Sequence, residues 1–132
     1  MINMKKLLRF YKVNGIVYGE GNGTKFAFIS IRLNANSDLY ISGNKWIVRG
    51  RHILPTIVPH VYESVYSFQP KKFNRLQQVD EEFIRVLVVK GKNINVFLDG
   101  KIISKYIGIN IIKAKDLISF LSNYNLSDYI TI

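Results

Sequence analysis

Three short stretches of the chain each combine several cationic side chains with an aromatic ring. The residues concerned are Arg9, Tyr11 and Lys12, then Lys45, Trp46, Arg49 and Arg51, and finally Lys71, Lys72, Phe73 and Arg75. Cations neutralise phosphate groups, and flat rings stack on nucleobases whatever their identity. These residue types therefore predict contacts to a single-stranded nucleic acid, and these eleven residues are the candidate binding residues.

Residues that could catalyse a reaction or hold a metal are sparse. His52 and His60 are eight residues apart in a segment interrupted by prolines, and Asp80–Glu82 is a run of adjacent carboxylates. A catalytic or structural metal needs more ligands than either group supplies. The chain has no cysteine, which excludes disulfides, thiolate metal sites and cysteine nucleophiles. We expect a binding protein without a cofactor rather than an enzyme, and a magnesium-dependent nuclease is the least favoured alternative.

The positive charge is concentrated in the first part of the chain. The 132 residues carry a formal net charge of +10. Residues 1–75 hold twelve lysines and arginines against three acids, a net of +9, whereas residues 76–132 hold seven against six, a net of +1. Charge of this size indicates an anionic partner. A general role in solubility is the alternative, but it does not explain why one part of the chain carries nearly all of the excess.

Apolar and β-branched runs separated by turn residues predict a protein built mostly of strands. We expect strands over residues 6–13, 24–33, 39–42, 45–50, 83–89, 94–98 and 101–107. Hairpin turns are predicted at Asn14–Gly15, Gly43–Asn44 and Asp99–Gly100. Residues 61–68 fit either a strand or a short helix. Residues 70–78 are predicted to be an exposed basic connection.

The end of the chain is predicted to be helical. Asn110 can cap a helix, and apolar residues within 111–124 recur at helical spacing on one side. The predicted fold is a single α+β domain, residues 1–132, with a mostly antiparallel β-sheet and a C-terminal amphipathic helix. Residues 1–75 form its basic, aromatic part, and residues 83–132 form a β-meander plus helix that supplies the core.

Two of the aromatic candidates have alternative interpretations that the sequence leaves open. Alternation along a strand places Lys45 and Arg49 on one face and Trp46 on the other. Trp46 is therefore either a stacking ring or a core residue whose strand has a solvated basic reverse face. Phe73 lies in a polar stretch and is either a stacking ring or an anchor that packs under a loop.

The segment Phe83 to Tyr124 resembles the positive-cofactor-four type of single-stranded-DNA-binding domain. The likeness lies in the order of strand, hairpin and strand, in the motif Lys105-Tyr106-Ile107-Gly108-Ile109-Asn110, and in the amphipathic helix that follows. The whole chain also looks like the small single-stranded-DNA-binding proteins of archaeal rod-shaped viruses, in size, basic charge and strand-then-helix ending. These resemblances imply non-sequence-specific binding, dimerisation partly through helices, and further strand or turn cations at Lys90, Lys92, Lys101 and Lys105.

The sequence thus predicts a non-sequence-specific single-stranded nucleic-acid-binding protein, for DNA in particular, that forms a homodimer through its apolar helix face and apolar tail. The alternative is a viral or mobile-element protein whose basic face binds an acidic host protein. No apolar run reaches the roughly 20 residues of a membrane helix, and no signal peptide is expected at the N-terminus. We therefore expect an intracellular location, in the host cytoplasm if the protein is viral, and no membrane partner.

Overall fold

The computed structural model describes residues 9–21, 23–51 and 65–124. The strands of a larger sheet are β1 (Arg9–Val13), β2 (Ile16–Gly21), β3 (Thr24–Arg32), β7 (Ile84–Lys90), β10 (Lys105–Tyr106) and β11 (Ile109–Lys113). The strands of a smaller sheet are β4 (Ser37–Tyr40), β5 (Trp46–Gly50), β6 (Val65–Phe68), β8 (Asn95–Leu98) and β9 (Lys101–Ile102). The helices are α1 (Lys71–Gln77) and α2 (Leu117–Ser122), and a 3-10 turn, Ala114–Asp116, leads into α2. His52, His60 and the apolar tail lie outside the described residues.

The described part of the chain is an α+β structure with two mixed sheets. The larger sheet has the strand order β1-β2-β3-β7-β11-β10, and the smaller has the order β6-β5-β4-β8-β9. Most neighbouring strands are antiparallel, but β7 pairs in parallel with both β3 and β11, and β4 pairs in parallel with β8. The central strands of the larger sheet are the most buried, with four consecutive buried residues in β3 and four in β7. Such runs are typical of strands that are covered on both faces.

The main hydrophobic core lies between the two sheets. One cluster of buried side chains joins the inner face of the larger sheet, the inner face of the smaller sheet and helix α1. A second cluster lies on the outer face of the larger sheet, where Leu117 and Leu121 of α2 cover Phe26, Phe28 and their β7 neighbours. Residues before position 75 and residues after position 83 contribute to both clusters, because β3 and β7 are adjacent strands.

The predicted helix over residues 111–124 is wrong in its first part. Residues Ile109–Lys113 form strand β11, which pairs with β7, and α2 begins only at Leu117. Asn110 does not cap a helix: it lies in β11, and its side-chain amide donates a hydrogen bond to the carbonyl of Arg85 at 3.2 Å. The β-branched residues around Ile111 favour a strand, and this strand pairs with the edge of β7 that β3 leaves free. The pairing stabilises a strand here more than the helical spacing of apolar residues favours a helix.

The predicted exposed connection over residues 70–78 is also wrong, because helix α1 occupies most of it. Phe73 and Leu76 are three residues apart, so they share one side of the helix, and both are buried in the main core. The basic residues of α1 occupy its exposed side. The helix thus places a basic surface directly over an aromatic core.

Local turn signals predict the hairpins correctly. Asn14 and Gly15 have φ of 53° and 79°, and Asp99 and Gly100 have φ of 51° and 77°. Positive φ at both central residues is the requirement of the tight hairpin turn that joins β1 to β2 and β8 to β9.

The predicted β-meander in the C-terminal part of the chain is wrong. β7 belongs to the larger sheet and β8 to the smaller, so consecutive strands cross between sheets instead of pairing.

Candidate functional site

A cleft of about 410 Å³ opens between the end of β3, strand β6 and the start of α1. One wall is the stretch Ile29–Leu33, and the facing wall carries Tyr66 and Phe68. Residues Gln69–Phe73 close the cleft at the helix start, and Trp46 and Leu87 also line it. We call it the basic cleft because its charged lining residues are Arg32, Lys71 and Lys72. Its volume is within the usual range of small-ligand sites, about 300–1,000 Å³.

The strand pairing explains why a cleft forms at this place. The ladder between β2 and β3 ends at the pair Val17 and Phe28, whereas the ladder between β3 and β7 continues to Arg32 and Lys90. The last residues of β3 therefore extend beyond the β1–β2 hairpin. Strand β6 is an edge strand of the smaller sheet. Two strand edges consequently border the cleft, and α1 fills only part of the space between the sheets.

The three cations of the basic cleft are exposed and form no ion pair with a described carboxylate. Arg32, Lys71 and Lys72 are all solvent-exposed, and within the described ranges none of them forms a salt bridge with a carboxylate. The first turn of α1 contains no acidic residue. Lys90 is the register neighbour of Arg32 on β7, so two like charges lie side by side at this end of the larger sheet. Repulsion between such charges is relieved when an anion binds near them.

Trp46 and Phe73 form the floor of the basic cleft and are core residues. Trp46 is 1% exposed and Phe73 is 3% exposed, and their ring centroids are 4.8 Å apart. Phe73 also stacks on Tyr106 at 5.9 Å, and Phe68 meets Trp46 edge-on at 6.0 Å. Neither ring has an open face on which a base could stack. Of the two roles that the sequence leaves open for Trp46 and Phe73, packing in the core is therefore correct and base stacking is wrong. The physical reason is that both rings fill the gap between the sheets, which only packing of distant strands creates.

The exposed ring of the cleft is Tyr66, which the sequence-based candidates do not include. Tyr66 is 42% exposed and pairs in register with the buried Val48, so it stands on the inner side of an edge strand. The signal was present in the sequence as the alternation of Tyr66 and Phe68. It was missed because residues 61–68 fitted either a strand or a helix, and only a strand places both rings on one face.

The second group of candidates lies on the outer face of the smaller sheet. Residues of β5 alternate as predicted, with Trp46 and Val48 buried and Ile47 and Arg49 exposed. The guanidinium of Arg49 lies 5.7 Å from the ring centroid of Tyr40. Lys45 is exposed immediately before this strand.

Arg51 makes contacts within the fold and does not present its charge to a ligand. Its Nε lies 3.2 Å from Oδ1 of the buried Asp38, an ion pair whose geometry is not that of a hydrogen bond. Its Nη2 donates to the backbone carbonyl of Asn93. Arg51 thus connects β4 and the turn before β8, and its charge is offset by Asp38.

The remaining candidates lie around the β1–β2 hairpin. Tyr11 is 55% exposed and stacks on Tyr18, with centroids 5.1 Å apart and planes 12° apart. Arg75 points to the hairpin, because its Nη1 donates to the carbonyl of Asn14 at 3.2 Å. Lys12 is exposed, and the side chain of Arg9 lies outside the described part of the structure. The structure therefore unites Trp46, Lys71, Lys72 and Phe73 at one cleft and distributes the other predicted residues over two further places.

Among the described residues, neither a candidate metal site nor a candidate membrane-spanning helix occurs. No group of three or more histidines, cysteines, aspartates and glutamates in those ranges could hold a metal ion. No helix in the same ranges is long and apolar enough to cross a membrane.

Comparison with known proteins adds no relative from which a function could be transferred. The resemblances to the positive-cofactor-four domain and to the viral single-stranded-DNA-binding proteins stay predictions, and the meander that contributes to the first of them is absent because β7 and β8 lie in different sheets. No family model, no curated protein and no solved structure matches this chain.

Proposed function

We propose that the chain binds single-stranded nucleic acid, DNA in particular, without sequence preference, and that one nucleotide enters the basic cleft. The observation that supports this most is the composition of the cleft. Three cations that close no ion pair in the described ranges stand around an apolar wall that includes aromatic rings. A nucleotide combines the same two features, an anionic phosphate and an apolar ring face.

The cations of the cleft suit phosphate groups. Lys71 and Lys72 lie at the start of α1 and line the cleft directly. Arg32 alternates with the inward-facing Ile31 and Leu33, so its side chain starts on the outer face of β3, at the strand edge that borders the cleft. A nucleic-acid strand that passes over this edge can contact all three cations. Each phosphate that a cation neutralises releases a counterion, and for single strands the slope of log K against log salt is about −0.7 per contact. Three contacts give a slope of about −2. Lys90 beside Arg32 raises the positive potential further.

The apolar wall suits a base without selecting its identity. The exposed ring of Tyr66 can stack on any base, and such stacking is worth about 1–3 kcal/mol. Ile29, Ile31 and Leu33 of the facing wall offer aliphatic surface, which contacts every base alike. A duplex keeps its bases paired and stacked inside. The basic cleft therefore favours single strands over duplexes.

A second candidate function is the binding of an acidic protein segment, the alternative predicted from the sequence. The two strand edges that border the basic cleft favour it, because an extended peptide can add to a sheet edge through its backbone. Acidic side chains of such a peptide would meet Lys71 and Lys72. This mode uses backbone groups and does not require the ring of Tyr66.

Fluorescence anisotropy with 5′-fluorescein-labelled dT12 tests the nucleic-acid proposal. The variant is Lys71→Glu with Lys72→Glu, and the matched control is Lys113→Glu with Lys115→Glu. The control residues lie at the end of β11 and in the 3-10 turn before α2, and neither lines the basic cleft. Both variants lower the net charge by the same four units. At about 50 mM salt we expect the cleft variant to lose about tenfold or more in affinity and the control to lose about threefold or less.

The salt titration and a ring variant separate the two functions. For the cleft variant the slope of log K against log salt should fall by about 1.4, since two contacts are lost. Tyr66→Leu should weaken dT12 about fivefold or more, the lower end of base stacking on a ring. Equal losses in the cleft and control variants, or no binding of dT12 at all, would refute the proposal. Binding of an alternating Asp-Val peptide that survives Tyr66→Leu, without binding of dT12, would support the acidic segment instead.

A further inference from the structure

The outer face of the smaller sheet carries a row of side chains that crosses all five of its strands. The ladders place these residues in register, one per strand. In spatial order from β6 to β9 the row is Ser67, Ile47, Tyr40, Phe97 and Ile102. We call it the aromatic row. With strands about 4.8 Å apart, it spans about 19 Å.

This face is uncovered in the described part of the chain. The two buried clusters contain no residue of the aromatic row, α2 covers the larger sheet, and α1 lies in the main core. Ile102 is 66% exposed, and Ile47 is also exposed. Tyr40 and Phe97, which lie between these two residues, are half-buried. An apolar stripe that is partly open to solvent in this way is a candidate binding surface.

The chemistry of the face points to a nucleic acid. Tyr40 and Phe97 stack on each other, with centroids 5.2 Å apart and planes 16° apart, and Arg49 lies against the ring of Tyr40. Asp38 is the one carboxylate among the described strand residues of this face, and its charge is offset by Arg51. Exposed Lys45, immediately before β5, adds a positive charge beside this face. Rings with neighbouring cations on an open sheet are the features on which single-stranded bases stack.

The aromatic row and the basic cleft share strand β6. Tyr66 and Phe68 stand on the cleft side of this strand, whereas Ser67 stands on the outer side and begins the aromatic row. A strand that leaves the cleft over the edge of β6 reaches Ile47 and Tyr40 next. At the 3.4 Å spacing of stacked nucleotides, the row corresponds to about six nucleotides.

We propose that the aromatic row is a second contact surface for the same nucleic-acid strand, on which bases stack against Tyr40 and Phe97 after the strand leaves the basic cleft. This inference rests on the proposed function of the cleft. It adds a path for the strand and a minimum length: a short oligonucleotide fills the cleft alone, and a longer one also covers the row.

The test compares dT4 with dT15 on the full chain by fluorescence anisotropy. The variant is Tyr40→Leu with Phe97→Leu, which removes both rings and keeps apolar side chains. The matched control is Phe120→Leu with Tyr124→Leu, an aromatic pair on and beside α2 with centroids 5.7 Å apart. We expect the row variant to lose about fivefold or more in affinity for dT15 per ring, and to keep its dT4 affinity within about twofold. The control should keep both affinities within about twofold.

Cross-linking gives a second readout on the unaltered protein, so a poorly folded variant does not end the test. Photocross-linking with 5-iododeoxyuridine in dT15 should mark peptides that contain Tyr40 or Phe97, and the same label in dT4 should not. If dT15 binds, depends on Lys71 and Lys72, and marks neither peptide, the aromatic row is refuted and the cleft stands. If neither oligonucleotide binds, the proposed function itself has failed. If the ring variants change the sedimentation coefficient and leave the oligonucleotide affinity unchanged, the aromatic row is an interface with a second copy of the chain. That result would refute the inference.

Discussion

Replacing Phe73 by alanine tests whether the aromatic residue of the basic stretch 70–75 stabilises the fold or binds a ligand. Its ring is 3% exposed and lies 4.8 Å from Trp46 and 5.9 Å from Tyr106. Truncating a buried phenylalanine to alanine costs about 3–5 kcal/mol, from lost transfer free energy and the cavity that remains. Loss of two ring contacts places Phe73→Ala near the upper end, at about 4–5 kcal/mol. Phe73→Leu should cost about 1–2 kcal/mol.

Urea denaturation followed by tryptophan fluorescence measures this change directly. Trp46 is the sole tryptophan of the chain and contacts Phe73, so it reports on the affected part of the core. The midpoint should fall with an unchanged m-value, which identifies a change in stability and not in the unfolded state. A domain of this size has about 5–15 kcal/mol of stability, so Phe73→Leu is the variant that stays measurable if Phe73→Ala is largely unfolded.

Ile118→Ala is the control, because Ile118 is an exposed apolar residue of α2 that belongs to neither buried cluster. It should change the free energy of unfolding by about 0.5 kcal/mol or less. The folded fraction of Phe73→Leu should bind dT12 with an affinity within about threefold of the unaltered chain, since the ring offers no face to a base. A stability change below about 1 kcal/mol for Phe73→Ala, together with a clear loss of dT12 affinity, would refute the assignment of Phe73 to the core.

Two further predictions concern the backbone and the internal ion pair. Gly91→Ala should destabilise the fold by about 2 kcal/mol or more, because φ is 139° and an added Cβ would lie 2.6 Å from the carbonyl oxygen of Leu33. Gly100→Ala, at φ of 77° with open space around it, should cost only about 1 kcal/mol, and equal urea midpoints for the two variants would contradict this. Arg51→Ala should lower the free energy of unfolding by about 1–3 kcal/mol because buried Asp38 loses its cation. Adding Asp38→Asn should recover part of that loss in a double-mutant cycle, and strict additivity of the two changes would show that the ion pair contributes nothing.

Features that depend on neighbouring residues were predictable from the sequence. Asn14–Gly15 and Asp99–Gly100 specify tight turns because few other residue pairs tolerate positive φ at both positions. The alternation of Trp46 and Val48 with Ile47 and Arg49 identified the buried face of β5, since side chains of a strand alternate strictly between its faces.

Features that depend on competition between distant partners were not predictable. Residues 109–113 satisfy both a helical and a strand pattern, and the open side of β7 selects the strand. Residues 70–78 look polar because only Phe73 and Leu76 face the core, and the sequence does not show that a core lies there. The predicted stacking of bases on Trp46 and Phe73 is wrong for the same reason. Their surroundings come from strands far away in the sequence.

The sequence by itself determined the strand-rich α+β character, the hairpin turns and the excess of positive charge before residue 76, because composition and local backbone preference set all three. Only the tertiary structure decided which charges meet. Arg32 is more than thirty residues from Tyr66 and Lys71 along the chain. All three nevertheless line one cleft because β2 ends before β3 does and β6 lies at the edge of the other sheet. Pairing between distant strands and the filling of the space between two sheets are properties of the whole chain, and no local pattern of residues encodes them.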